Sequence, residues 1–185
     1  MSHRVCPWWL GYFLASPIRR WMTDPGKLLA PYVREGMTVL EPGPGMGFFT
    51  LELARLAGPT GRVIAVDVQE RMLSALRKKA RKAGLLSRID ARLVPPDSMG
   101  MNDLAGSVDF TLAYAVVHEI PSCERFFQEA ATASRNGAQL LLVEPAGHVR
   151  DADFDEELRL AGQAGFAVMA RPSIPRSHAA VLKKE

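Results

Sequence analysis

The run EPGPGMG, Glu41 to Gly47, sets a carboxylate ahead of three glycines at alternate positions, Gly43, Gly45 and Gly47. Glycine has no Cβ and accepts positive φ, so a ligand can lie against bare main chain there. Pro42 and Pro44 fix backbone angles in the same loop and lower the entropy of ordering it. Glu41 favours a cationic or amine-bearing ligand. A second acid, Asp67, closes the apolar run VIAVD 20 residues past Gly47. A carboxylate at that place can accept from both hydroxyls of a ribose. A third, Asp97 in PPDS, can accept from the exocyclic amino group of a base, and Ser98 beside it offers a backbone N–H to a ring nitrogen. Further on, His118 and Glu119 follow the run VDFTLAYAVV, and His148 follows LLLVEPAG. Histidine titrates near neutrality, which suits it to proton transfer.

These residues need elements to hold them. Asp24 before Pro25 predicts a helix start, with the helix running to about Val33. MTVLE has the continuous apolar character of a buried parallel strand, and the glycine loop leads from it into the helix FFTLELARLA. The alternation repeats: strand RVIAVD, helix VQERMLSALRKKARKAG, strand IDARLV, strand from Val108 to Tyr114, helix CERFFQEAATASRNG, strand AQLLLVE, helix DADFDEELRLAGQAG. FAVMARP and HAAVLKK are joined too tightly for a helical crossover, so they should form an antiparallel hairpin. The expected fold is α/β: a three-layer Rossmann-like sandwich around a mostly parallel seven-stranded sheet, with an antiparallel strand from the C-terminal hairpin. In such sheets ligands bind beyond the carboxyl ends of the strands. Every candidate above falls at a strand end.

Composition narrows the function. The chain has 185 residues, 48% hydrophobic and 23% charged, with net charge +3. That is ordinary for a globular protein and too weakly basic to argue for a nucleic-acid partner. The run RKKARK, Arg77 to Lys82, reads as the wet face of a helix. The two cysteines, Cys6 and Cys123, are far apart. No disulfide framework or metal site is expected, and a reducing cytoplasm is the expected compartment. No apolar run reaches the length of a membrane span. Residues 1–22 are apolar and aromatic, but Pro7, Gly11 and Pro17 interrupt them. They are expected to belong to the protein rather than to a signal peptide, as a segment preceding the domain of residues 23–185.

The glycine pattern is not the dinucleotide fingerprint G-x-G-x-x-G, because the third glycine would fall on Phe48. The strand-end acids instead fit an adenosine-like ligand with a cationic, amine-bearing tail and no phosphates. S-adenosylmethionine has that form. From about Thr23 to Lys184 the chain resembles the class I S-adenosylmethionine-dependent methyltransferases of small-molecule type. VLEPGPGMG, VIAVDVQERML, PPDS, VDFTLAYAVVHEI and NGAQLLLVEP look like that family's successive motifs, in order. Where the family often has Pro-Gly-Gly before the fifth strand, this chain has Arg135-Asn136-Gly137.

The resemblance implies cofactor contacts from Glu41, Gly43, Gly45, Gly47, Asp67, Val68, Met72, Asp97, Ser98 and Tyr114. Met72 fits a helical core equally well. His118 is the candidate general base and Glu119 the runner-up. Trp9, Tyr12, His118 and His148 are the candidates for lining the acceptor pocket, the first two from an aromatic lid. The expected partner is a small-molecule acceptor, with no nucleic acid, and the chain is expected to be a monomer or homodimer. Two rival readings stand: a non-catalytic nucleotide-binding or regulatory protein of the same fold, and an NAD-dependent oxidoreductase.

Overall fold

The structure, a computed structural model, describes residues 24–185. Trp9, Tyr12, Cys6 and the expected lid lie outside the described residues. Seven strands form one mixed sheet in the order β3-β2-β1-β4-β5-β7-β6. The described chain divides into two compact units, residues 24–94 and 95–185.

The first unit holds α1 (Pro25–Leu29), β1 (Thr38–Pro42), α2 (Thr50–Leu56), β2 (Arg62–Asp67), α3 (Glu70–Lys82) and β3 (Ile89–Leu93). β1, β2 and β3 are parallel, and Glu41 lies opposite Ala65 while Asp67 lies opposite Leu93. Val39, Leu40 and Val63 to Val66 are buried, as strands covered on both faces require. α1 starts as expected: the Asp24 carboxylate accepts from Gly26 N at 3.0 Å and Lys27 N at 3.3 Å, with Pro25 in the first turn. It ends at Leu29, not Val33. Pro31 explains the early stop, since it has no N–H to donate to the carbonyl four residues back.

The second unit holds β4 (Val108–Tyr114), α4 (Cys123–Ala133), β5 (Ser134–Pro145), α5 (Asp151–Gln163), β6 (Phe166–Ala170) and β7 (Ser177–Lys184). β4 and β5 are parallel, and β7 runs antiparallel to both β5 and β6, which is the expected hairpin. α4 buries Phe126, Phe127 and Ala130 and starts on Ser122, whose hydroxyl accepts from Arg125 N at 3.2 Å. The helix was expected to reach Gly137, but it ends at Ala133. Ser134 turns extended there, its hydroxyl donates to the Ala130 carbonyl at 2.7 Å, and the residue pairs with Val108 in the sheet.

The glycine loop positions more than ligand. Gly43, Gly45 and Gly47 all have positive φ, 65°, 53° and 85°. A Cβ on Gly45 would meet nothing within 4 Å, so open space lies beside it. A Cβ on Gly47 would stand 2.5 Å from Leu76 Cδ1 of α3. Gly47 therefore serves helix packing as well as turn geometry. Gly47→Ala should destabilise the fold by about 2 kcal/mol, combining backbone strain with overpacking. Denaturant unfolding would check it, with Gly45→Ala, which meets only the backbone strain, expected to be milder.

Candidate active site

On the first unit the candidates cluster where β1 and β2 end. Glu41 is 3% exposed, and its Oε2 has no hydrogen-bond partner. Burial pushes its carboxyl up to about 8; the nearby Thr50 hydroxyl offsets part of that and the Asp67 charge adds to it. An unpartnered buried acid that is neutral by itself would regain its charge beside a cation. Asp67, 9% exposed, accepts at Oδ1 from Gln69 N at 2.8 Å, which fixes the carboxylate at the entry to α3. Val68 is 38% exposed and Leu93, opposite Asp67 on β3, is 56% exposed. Leu93 was not singled out from the sequence, because an apolar residue at a strand end reads as core. Met72 lies in the buried face of α3.

The raised carboxyl of Glu41 makes a prediction about stability. A folded value above the unfolded one favours the protonated acid in the native state. The resulting stability is complete below about 4.5 and is lost as pH rises toward about 8. Glu157, also pushed up to about 8 by burial, contributes in the same window. In ligand-free protein Glu41→Gln should therefore flatten the decline of Tm across that window, and thermal melts at several pH values would show it.

On the second unit Asp97 is exposed and pairs with Arg125 Nη1 at 3.4 Å. Ser98 N–H donates to the Pro95 carbonyl at 3.3 Å, and its hydroxyl accepts from Gly100 N at 3.0 Å. Both sit in a tight turn after β3. Tyr114 ends β4.

The densest chemistry follows Tyr114. Ala115 has φ 54°, unusual for a residue with a Cβ, and its N–H donates to the Val143 carbonyl at 2.7 Å. This bend leads into a single 3-10 turn, Val117–Glu119. The turn brings three donors onto Glu144 of β5, which is fully buried. Val116 N and Val117 N reach its Oε1 at 3.3 and 2.8 Å, and His118 Nδ1 bonds its Oε2. Donation from Nδ1 leaves Nε2 as the free basic nitrogen of a neutral ring. Nε2 lies 3.9 Å from Glu119 Oε1, and the His148 ring centre is 5.9 Å from that of His118. The hydrogen bond to Glu144 holds His118 above its ordinary range; burial opposes this, and the charges of Glu144, Glu119 and Glu157 add to it.

The structure thus brings His118, Glu119 and His148 together, as expected from their places after β4 and β5. Sequence reasoning missed Glu144 and Glu157. The motif containing Glu144 was visible, but a strand-end glutamate carries no sign that it is a histidine partner. Cys123, expected to be non-catalytic, has its thiol pushed up to about 11 by burial and by the Glu157 and Glu144 charges, so it is no ready nucleophile. No group of three metal-ligating side chains is found among the described residues, and no helix among them is long and apolar enough to cross a membrane.

Comparison with known proteins bears on the family. A family model described as a methyltransferase domain matches residues 33–168. A crystal structure of an S-adenosylmethionine-dependent methyltransferase from Aquifex aeolicus superposes with a TM-score of 0.84 at 25% identity, covering 97% of this chain and 98% of that one. The [4+2]-cyclase SpnF superposes with a TM-score of 0.72 at 16% identity, covering 87% of this chain and 80% of that one, a likeness of fold alone. The ubiquinone/menaquinone biosynthesis C-methyltransferase UbiE of Escherichia coli is 40% identical over 58 residues, which are 31% of this chain and only 23% of UbiE. With the motifs in order, the family match over most of the chain and the Aquifex likeness end to end, the chain belongs to the class I S-adenosylmethionine-dependent methyltransferases.

Proposed function

We propose that this enzyme methylates a small-molecule acceptor, with the donor held by residues of the first unit and the acceptor's proton removed by His118. When bound, S-adenosylmethionine supplies a methyl group on a sulfonium, already activated toward nucleophiles. The first unit's residues fit it: open space beside Gly45, an unpartnered buried carboxyl at Glu41 for the amino group, and Asp67 for the ribose. Val68 and Leu93, exposed beside Asp67, suit the faces of a base.

The observation that carries the general-base reading is Glu144. A fully buried carboxylate receives two backbone N–H groups and one imidazole nitrogen. It fixes ring orientation and tautomer, the task of the third member in any acid–base triad. The protein then has two jobs, to place the nucleophile in line with the methyl group and to take its proton. Placement alone contributes about 7–11 kcal/mol to lowering the barrier.

Calorimetry with S-adenosylhomocysteine tests the first half of this reading, and binding with a 1:1 ratio is the expected result. Nitrogen-15 NMR of the histidine side chains tests the second half. His118 should be protonated at Nδ1 when neutral; the opposite tautomer would remove Nε2 as base.

A further inference from the structure

The outward face of α3 carries more positive charge than the helix itself can use. Residues 70–88 hold seven lysines and arginines against one acid, Glu70. Two of the seven serve the fold. Arg77 pairs with Glu70 at 2.6 Å and donates to the Ala91 carbonyl at 2.8 Å, and Arg88 donates to the Ala54 carbonyl at 3.3 Å. Lys78, Lys79, Arg81 and Lys82 are exposed, and among the described residues no carboxylate pairs with any of them. Positions 1–23 contain no aspartate or glutamate, so no acid elsewhere in the chain can compensate these four. The helix dipole places about half a negative charge at the C-terminus, which a single cation answers. The remaining charge works against the helix: Lys82 stands four residues and Arg81 three residues past Lys78, and like charges so spaced repel.

We propose that this face docks the enzyme on an anionic lipid surface. Lys78 and Lys82 lie one above the other along the helix, with Lys79 and Arg81 on either side, opposite the buried face of Met72, Leu73, Leu76 and Ala80. A layer of anionic headgroups asks only for cations on an outward face, and each lysine or arginine brought near it adds about fivefold in affinity. Nucleic acid fits this face less well. Residues 69–94 contain no aromatic side chain and no histidine on which a base could stack. Three of the four unpaired cations are lysines, point charges without the two-pronged grip of arginine on phosphate. The outward face has no large exposed apolar side chain, so contact stays among the headgroups and is reversible. The four cations occupy the last two turns of α3, while Asp67 stands at its entry, so docking leaves the strand-end carboxylates clear. The inference does not depend on which acceptor is methylated.

The test is co-sedimentation of the full chain with vesicles of phosphatidylcholine alone or of phosphatidylcholine mixed with phosphatidylglycerol. At physiological salt the protein should bind the mixed vesicles at least about tenfold more tightly than the neutral ones. Binding should be lost at about 1 M salt, where charges are screened within about 3 Å. Lys78→Gln combined with Lys82→Gln should weaken attachment about twenty-five-fold, and Arg81→Gln alone about fivefold. The double variant should melt within about two degrees of the parent, because it removes a repulsive pair from the helix. Its affinity for S-adenosylhomocysteine should be unchanged.

Equal binding to the two kinds of vesicle, or no binding to either, would overturn the proposal. So would attachment to the anionic vesicles that neither the double variant nor Arg81→Gln weakens, since the contact would then lie elsewhere on the chain. Competition supplies the last arm. A single-stranded RNA or duplex DNA oligonucleotide, added at the same phosphate concentration as the phosphatidylglycerol, should leave the protein on the vesicles. Stripping by either one would overturn the proposal and mark α3 as a nucleic-acid surface instead.

Discussion

Asp67→Ala should weaken S-adenosylhomocysteine binding by about a hundredfold or more, the largest loss of affinity expected from any single side chain of the first unit. A carboxylate accepting from two ribose hydroxyls makes two charge-assisted hydrogen bonds, each worth about 1.5–3 kcal/mol. Removing both leaves the sugar hydroxyls without their acceptor. The alanine variant also loses the acceptor for Gln69 N, so part of its effect will be on the entry to α3. Asp67→Asn separates the two roles. Its amide oxygen can still accept from Gln69 N, while the charge is gone. The asparagine variant should melt within a degree or two of the parent and still bind about tenfold more weakly. Calorimetry on the pair decides it. Unchanged affinity in both would mean that the sugar is not held at Asp67.

Glu41 differs from Asp67 although both end a parallel strand. Asp67 has a backbone donor and is poised as a charged acceptor. Glu41 has an unpartnered oxygen and a raised carboxyl. One is ready for hydroxyl donors; the other waits for a cation to complete it. An amino group and a ribose on one ligand match this division of labour, which the shared pattern of strand-end acids does not by itself distinguish.

The legible parts of the sequence were those where one residue type has one physical reason. Glycines at alternate positions after an apolar strand announced a left-handed loop, and all three have positive φ. The short SIPRS connection announced an antiparallel return, and β7 provides it. Other features depend on partners far away in the chain. Gly47 gives room to Leu76, which no spacing rule reveals. Ala115 and Arg176 take positive φ without the glycine that would have marked them. The strand registers between β4, β5 and β7 put Glu144 opposite His178, and the turn after Ala115 swings His118 onto it. Glutamate at that place reads as a strand terminus until the turn is seen. Glu157 is hidden for a different reason: in DADFDEELRL it stands among the acids expected of a helix N-terminus, yet it alone of that group is buried.

The second large effect concerns His118. His118→Ala should lower kcat by about a hundredfold to ten-thousandfold, with S-adenosylhomocysteine affinity changed little. Size alone does not separate a base from a structural ring, but pH does. Only the neutral ring can take a proton, and the Glu144 hydrogen bond holds His118 above its ordinary range. Turnover should therefore be low in acid and should rise as pH climbs through that elevated value. Glu144→Gln removes the charge and keeps one oxygen for the Val116 and Val117 N–H groups, while its NH2, a donor, replaces the acceptor that faced His118 Nδ1. Without the charge the imidazolium is less favoured, so the rise should move to lower pH. The plateau should also fall, because a weaker base with a looser hold transfers protons less well. A ring that only supported the loop would give a lower plateau with no displacement of the limb. Stability adds an independent check of sign. A histidine raised in the native state stabilises the fold fully below about 6.5 and loses that contribution as pH rises through its folded value. Glu144→Gln should remove that slope from the melting curve, so the limb in turnover and the slope in Tm should change together in the one variant.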